Sequence, residues 1–360
     1  MTAGPETSPI DQPIDQVVDW DLAIRTASLV ARPGPQVSWT EAAEVVEQLR
    51  SAAARAVPHV AEVTALSAPE AGGPLVVDRP GWAKANVAGF RGVLAPVVAA
   101  SFNRRDRGPS PATTAVGARL TGAEVGSLLG ILSTRVLGQY DAFGEGPRLL
   151  LVAPNVVQVE RELEVDPGDF RLWVCLHEET HRVQFGATEW LADHLLAEIR
   201  ELVGGLMIDP SQLFERLAAA LRSLPDVLRG NGSGAPLVDA VQTPSERARL
   251  ARLTAAMSLL EGHADVVMDA VGPEVVATAP LIRERFTRRR AGRGALDQLL
   301  RRLLGLEAKA RQYADGARFV RAVQERVGTE GFNAVWESPE KLPLPAEIVD
   351  PAAWVTRVHG

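Results

Sequence analysis

Residues 166–185 read DPGDFRLWVCLHEETHRVQF, and this stretch decides the fold. Asp166 is a residue type that caps helix N-termini, and Pro167 suits the first helical position. An acidic residue, Asp169, follows in the first turn, where the helix dipole favours it. The stretch therefore predicts a helix that begins at Pro167 and runs to about Phe185.

Two histidines lie one helical turn apart in that helix, in the sequence His177-Glu178-Glu179-Thr180-His181. Residues at i and i+4 share a helix face, so both imidazoles can bind one zinc ion. Glu178 lies beside that face, where its carboxylate can act as the general base toward a water molecule. The alternative interpretation is a helix with two ordinary surface histidines. The mostly apolar neighbours argue against it, because they predict a buried helix whose histidines need partners.

A catalytic zinc site needs a third protein ligand. In the metzincin pattern a glycine and a third histidine would stand at positions 184 and 187. This chain has Gln184 and Ala187 there, so the metzincin class is excluded. In the gluzincin pattern the third ligand is a glutamate on a later helix, and an aspartate four residues further on orients a ligand histidine.

The gluzincin spacing occurs in Glu261-Gly262-His263-Ala264-Asp265, within a segment whose periodicity predicts a helix. Glu261 and Asp265 share one helix face. We therefore predict Glu261 as the third zinc ligand and Asp265 as the residue that hydrogen-bonds a ligand histidine. Such acidic pairs are common on solvated helices, so the pair gains meaning only from the histidine motif. His263 points to another side of the helix and is the rival third ligand.

Hydrolases of this type stabilise the developing oxyanion with a Tyr or His donor. The chain has two tyrosines, Tyr140 and Tyr313, and Tyr313 lies in the predicted helix that follows the ligand helix. We predict Tyr313 or His263 as the oxyanion donor. The alternative for Tyr313 is a structural hydroxyl that is hydrogen-bonded to backbone.

Apolar residues recur at helical spacing over most of the chain, whereas strand signals are few, the best being the short apolar run at 148–153. The predicted fold class is mainly α with a small β element, a zincin-like metallopeptidase fold of the gluzincin type. We expect an N-terminal helical region at 1–139 and a zincin-like catalytic region at 140–330. A C-terminal tail at 331–360 would wrap the surface, and the whole chain would form one compact unit.

The composition excludes several classes of protein. The chain has 360 residues, of which 46% are hydrophobic and 23% charged, so it is neither disordered nor a coiled coil. The net charge of −7 argues against nucleic-acid binding, and a single cysteine excludes a zinc site built from cysteines. No uninterrupted apolar run approaches the length of a membrane span, and the first residues do not form a secretory signal. We expect a cytoplasmic protein without a membrane span.

An arginine cluster occupies residues 283–302, with eight arginines against two acidic residues. It could bind an anionic substrate or a partner. The alternative is a solvated helix face whose arginines pair with the acidic remainder of the molecule.

The metal motifs belong to a pattern that resembles a known family. The pattern comprises the histidine motif with Gln184-Phe185, the sequence LEGHAD at 260–265, and Gln312-Tyr313-Ala314-Asp315-Gly316. It is similar to an actinobacterial family of zincin-like hydrolases. Members are described as zinc-dependent metalloproteases or as proteins associated with the biosynthesis of a deazaflavin coenzyme. The resemblance, which covers nearly the full length, implies a metallopeptidase-like fold and a zinc ion on His177, His181 and an acidic residue.

Two functions are compatible with these residues. The first is zinc-dependent hydrolysis of a peptide or a small amide, with Glu178 as the base that activates water. The second is a zincin scaffold that binds a metal or a partner protein without catalysis. The presence of Glu178 favours the first, because a protein that only binds needs no general base.

Overall fold

The computed structural model describes residues 13–69, 72–102, 111–144, 146–206, 243–291 and 306–360. These residues are mostly helical and include one three-stranded sheet. The predicted fold class, mainly α with a small β element, is therefore confirmed.

Tertiary contacts divide the chain into two compact units. Unit 1 takes its described residues from Met1–Arg50 and Ala71–Val159, and unit 2 takes them from Ser51–Glu70 and Glu160–Gly360. The predicted boundaries at residues 139 and 330 do not coincide with the unit boundaries. The division into a catalytic region and supporting regions stays a prediction.

Unit 1 combines helices with the small sheet. Its elements are a short 3₁₀ helix (Pro13–Gln16), α1 (Trp20–Val30), the first part of α2 (Trp39–Thr64), β1 (Leu75–Val77), α3 (Arg79–Phe102), α4 (Pro111–Ser133), β2 (Gly138–Asp141), β3 (Arg148–Val152) and the first part of α5 (Ala153–Leu163). The middle strand, β3, is parallel to β1 and antiparallel to β2. The strand predicted at 148–153 is confirmed as β3, whose apolar run is buried.

Helix α4 bears on the expectation of a chain without a membrane span. Its segment Thr114–Ser133 is long and apolar enough to cross a membrane by length and composition. Arg119 and Glu124 interrupt the segment, so it contains no uninterrupted apolar run of that length. Core helices of soluble proteins meet the same criteria, so length and composition alone are weak support for a span. Within unit 1, α4 packs against α1 and α3.

Unit 2 is built from helices that surround α8. Its elements are the remainders of α2 and α5, α6 (Pro167–Gly186), α7 (Leu191–Leu206), α8 (Pro244–Val271), α9 (Ala279–Ala291), α10 (Leu306–Asn333), two 3₁₀ helices (Ala334–Trp336 and Pro339–Lys341), α11 (Pro345–Val349) and α12 (Pro351–His359). Helix α8 contacts α6, α7, α10 and α11. It is therefore the element on which the motif helix α6 is held.

Capping residues fix where the two central helices begin. The Asp166 side chain accepts a hydrogen bond from the Asp169 N–H at 2.9 Å, and Pro167 follows the cap. This confirms the helix that the sequence predicts from Pro167. Helix α8 begins with a capping box, in which Thr243 and Glu246 each accept a hydrogen bond from the backbone N–H of the other.

Helices α8 and α10 approach each other closely at a pair of glycines. A methyl group at Gly262 would overlap the backbone at Gly316, and a methyl group at Gly316 would overlap the Ser258 carbonyl. Only glycine permits backbones this near to each other. Because Gly262 follows Glu261, this close contact lies next to the predicted third ligand in α8.

The C-terminal residues are folded into unit 2. Residues 331–360, predicted as a wrapping tail, contain α11, α12 and the two 3₁₀ helices. Trp354 of α12 is fully buried, contacts Phe319 of α10 edge to face, and donates a hydrogen bond from Nε1 to the Lys341 carbonyl at 2.8 Å. The buried Trp354 side chain therefore packs the end of the chain against α10.

Candidate metal centre

Helix α6 presents His177 and His181 on one face. Their Nε2 atoms lie 3.1 Å apart, and their rings meet edge to face with centroids 4.7 Å apart. The His177 side chain is 25% exposed, so solvent reaches the pair. The i, i+4 spacing therefore brings the two nitrogens to one point, as the sequence predicts.

Helix α8 brings Glu261 to the same point. Its Oε2 lies 3.6 Å from His177 Nε2, and its Oε1 lies 3.9 Å from His181 Nε2. Within the described part of the chain, these three residues form a group whose ligand atoms all lie within 4.8 Å of one another. Of the two candidates for the third ligand, the structure places Glu261 with the histidines.

The group fits a zinc ion in its donor chemistry and in its spacing. Two imidazole nitrogens and one carboxylate oxygen are a ligand set found in catalytic zinc sites. Ligand atoms arranged tetrahedrally around one zinc ion lie roughly 3.3 Å from one another. The separations of 3.1, 3.6 and 3.9 Å lie close to that value.

His263, the rival third ligand, lies outside this group. Its side chain is only 1% exposed and packs against the rings of Phe332 and Trp336. Burial, with a smaller contribution from His181, lowers the pKa of His263 to about 3. The imidazole is therefore neutral at physiological pH and belongs to the core.

Comparisons with known proteins agree with this geometry. Residues 18–355 match the family described as zincin-like metallopeptidases. The chain belongs to the zincin-like metallopeptidase family. A crystal structure of a candidate hydrolase with a novel fold from Chloroflexus aurantiacus is similar, with 30% sequence identity and a TM-score of 0.65. The match covers 94% of this chain and 98% of that one.

The comparisons support only part of the family resemblance that the sequence motifs indicate. A search of curated proteins finds no match. The zincin-like family is shown, whereas neither an actinobacterial source nor a link to deazaflavin biosynthesis follows from these comparisons.

The two acidic residues of the zincin motif have different surroundings. Both carboxylate oxygens of Glu179 accept hydrogen bonds from Arg182, at 2.7 and 2.6 Å, and Arg182 also donates to the Pro69 carbonyl at 2.9 Å. Glu179 is therefore held in a structural ion pair. Glu178, next to His177 and buried, is the motif acid that this pair does not involve.

Asp265 lies one turn after Glu261 in α8, as the gluzincin pattern requires. Its Oδ1 is 3.9 Å from Arg283, which pairs more closely with Asp269 at 2.7 Å. Its predicted hydrogen bond to a ligand histidine stays a prediction.

Other described members of the arginine cluster also pair with acidic side chains. Arg285, Arg288 and Arg289 pair with Glu164, Glu284 and Glu162, respectively. Residues 292–302 of the cluster lie outside the described residues. The described arginines form the solvated, paired helix face that was the alternative interpretation.

Tyr313 lies on α10, the helix that contacts the ligand helix α8. Its side chain falls outside what the structure describes, so its predicted role as oxyanion donor stays a prediction.

The sequence analysis does not predict the role of one residue of the site, Gln184. Gln184 of α6 is fully buried and lies between the motif helix and α8. Its side chain contacts His181 Nδ1 at 2.9 Å, the Leu260 carbonyl at 2.9 Å and His263 Nδ1 at 3.1 Å. Its position seven residues after His177 was the available signal, because i+7 lies on the same helix face.

Proposed function

We propose that this protein is a zinc-dependent hydrolase of peptide or amide bonds. The observation that carries the proposal is the convergence of His177, His181 and Glu261 at a point reached by solvent, with Glu178 beside them on α6. Metal donors alone would support a structural site. An additional carboxylate next to the ligands supports a catalytic one.

The three ligands would hold the ion from two helices, two donors from α6 and one from α8. Zinc in that position supplies a Lewis acid that polarises a carbonyl group and lowers the pKa of water. Glu178 takes the proton of the attacking water and delivers it to the leaving amine.

Of the two candidate oxyanion donors, His263 and Tyr313, we propose Tyr313. His263 is enclosed by Phe332 and Trp336 and presents no face to a substrate. We therefore keep Tyr313 as the candidate donor. The substrate is a peptide or a small amide.

The experiment compares Glu178→Gln with wild type and with Glu189→Gln, which changes an exposed glutamate just after α6. Each protein is purified without chelator, its zinc is measured by elemental analysis, and it is incubated with a mixture of peptides and N-acyl amides. New amines are counted with an amine-reactive dye.

We expect all three proteins to hold about one zinc ion per chain. Wild type and Glu189→Gln release amines, whereas Glu178→Gln is slower by about 10²-fold or more, because the base is gone while the ligands remain. Hydrolysis that survives in Glu178→Gln would refute the mechanism. A wild-type protein that takes up zinc but hydrolyses nothing would favour the non-catalytic scaffold.

A further inference from the structure

We propose that Gln184 is a positioning residue of the metal site, which fixes His181 in the tautomer that binds metal and joins that histidine to the backbone of the ligand helix. The inference rests on the proposed zinc site. Gln184 would hold His181 and the backbone beside Glu261 in place before a zinc ion binds.

The orientation of the Gln184 amide follows from its partners. The amide nitrogen lies 2.9 Å from the Leu260 carbonyl oxygen, which can only accept a hydrogen bond. The nitrogen must therefore face Leu260, and the oxygen must face the other way. That oxygen, Oε1, lies 2.9 Å from His181 Nδ1.

The amide orientation in turn determines the tautomer of His181. An amide oxygen accepts hydrogen bonds and donates none, so Nδ1 of His181 must carry the proton. Nε2 of the neutral ring then keeps its lone pair. This is the nitrogen that lies 3.1 Å from His177 Nε2 and 3.9 Å from Glu261. The lone pair is thus directed at the place where the three ligands meet.

The same amide also connects the two helices. Leu260 immediately precedes Glu261, so the hydrogen bond from Gln184 fixes the peptide group next to the third ligand. The second amide hydrogen faces His263 Nδ1 at 3.1 Å. Gln184 therefore sets the distance between a histidine on α6 and a carboxylate on α8.

Full burial makes these bonds consequential. Gln184 is 0% exposed, so water cannot replace a partner that is lost. An apolar side chain of similar size could fill the same volume without the cost of burying an amide. A role in orienting a metal ligand would explain why an amide is buried at this position. Hydrogen-bond partners that orient metal-binding histidines strongly affect metal affinity.

The test measures zinc affinity by competition with a chromogenic chelator, for wild type, Gln184→Leu, Gln184→Glu and Thr180→Val. Leucine fills the space and removes all three bonds, whereas glutamate keeps an oxygen that faces His181 but lacks the amide donor toward Leu260. Thr180→Val is the matched control, because Thr180 is equally buried in α6 but donates its hydroxyl hydrogen bond to Leu176 of its own helix. Thermal unfolding of the metal-free proteins is recorded in parallel.

We expect Gln184→Leu to weaken zinc binding by about 10- to 100-fold. Gln184→Glu should bind closer to wild type than the leucine variant does, and Thr180→Val should bind like wild type. Cobalt absorption provides a second readout, since a misoriented His181 changes the band positions of bound cobalt, whereas a loss of stability alone does not.

Two results would overturn the proposal. One is a Gln184→Leu protein that binds zinc as wild type does. The other is an equal loss in the leucine and glutamate variants, which would mean that the oxygen facing His181 is irrelevant. A wild-type protein that binds no zinc would instead defeat the proposed function, so the two failures are distinguishable.

Discussion

Two Arg–Glu ion pairs of unit 2 invite comparison, one between α5 and the metal-site helix α6 and one in the C-terminal segment. Arg171 of α6 donates to both carboxylate oxygens of Glu160 in α5, at 3.0 and 2.6 Å. Arg357 of α12 donates to both oxygens of Glu347 in α11, at 2.7 and 2.8 Å. The hydrogen-bond geometry is nearly the same, but the carboxyl pKa values shift in opposite directions.

Burial accounts for the difference. Burial raises the pKa of Glu160, and the hydrogen bond from Arg171 only partly offsets it. Burial also acts to raise the pKa of Glu347, but hydrogen bonds from Arg357 and from the Leu344 N–H outweigh it and lower that pKa. The Arg171 side chain is 8% exposed and that of Arg357 is 33% exposed, so only the second cation keeps much of its hydration.

The comparison shows that equal contacts can have unequal net effects. Enclosing two charges costs free energy that their attraction must first repay. We infer that Glu160 and Arg171 fix how α5 meets the helix that bears His177 and His181, and that they add little net stability. The pair at the C-terminus stabilises the fold directly.

The largest effect is expected from breaking the enclosed pair by Arg171→Met. The Glu160 carboxylate would remain buried without this partner, and the free energy of unfolding should fall by about 3–5 kcal/mol. Urea denaturation, followed by circular dichroism, measures the loss.

The control for this prediction removes both charges. The double variant Glu160→Leu with Arg171→Met should recover most of the lost stability, because no buried charge is then left unpaired. A double variant as unstable as the single one would show that the pair itself is stabilising.

A smaller loss is expected for Arg357→Met. The guanidinium also donates to the carbonyl oxygens of Glu340 and Leu342, and removing these bonds should cost about 2 kcal/mol. The matched control is Arg318→Met, since Arg318 is mostly exposed and pairs with Asp315 within α10. That change should stay within about 0.5 kcal/mol in the same denaturation experiment. Equal losses in the two variants would contradict the difference in burial.

Much of the motif helix could be predicted from the sequence because its signals are local. The cap at Asp166 and the spacing of His177 and His181 depend only on neighbours along the chain. Glu261 was found because a metal site demands a third ligand. The placement of His263 away from Glu261 followed from helix periodicity, and the structure agrees.

The rest depended on contacts between distant residues. Gln184 donates a hydrogen bond to the carbonyl of Leu260, 76 residues away. No sequence pattern around a glutamine predicts which distant residue its amide contacts. The same holds for the close contact of Gly262 with Gly316, since a glycine predicts freedom of the backbone but not which helix approaches it. Strands β1 and β2 are too short to give a periodic signal.

The smallest effect, and the sharpest test of the comparison, is the dependence of stability on pH in Glu160→Gln and Glu347→Gln. The folded-state pKa of Glu160 lies above its ordinary value of 4.5, so its contribution to stability is complete below that pH and is lost as the pH rises through the folded value. The pKa of Glu347 is lowered, so its contribution is present above pH 4.5 and is lost as the pH falls through the folded value.

Urea denaturation from about pH 3.5 to pH 7.5 gives the difference in unfolding free energy between wild type and each variant, which cancels the titration of all other groups. As the pH rises, the stability of wild type relative to Glu160→Gln should fall, and relative to Glu347→Gln it should rise. Two differences that change in the same direction would mean that burial does not separate the two pairs.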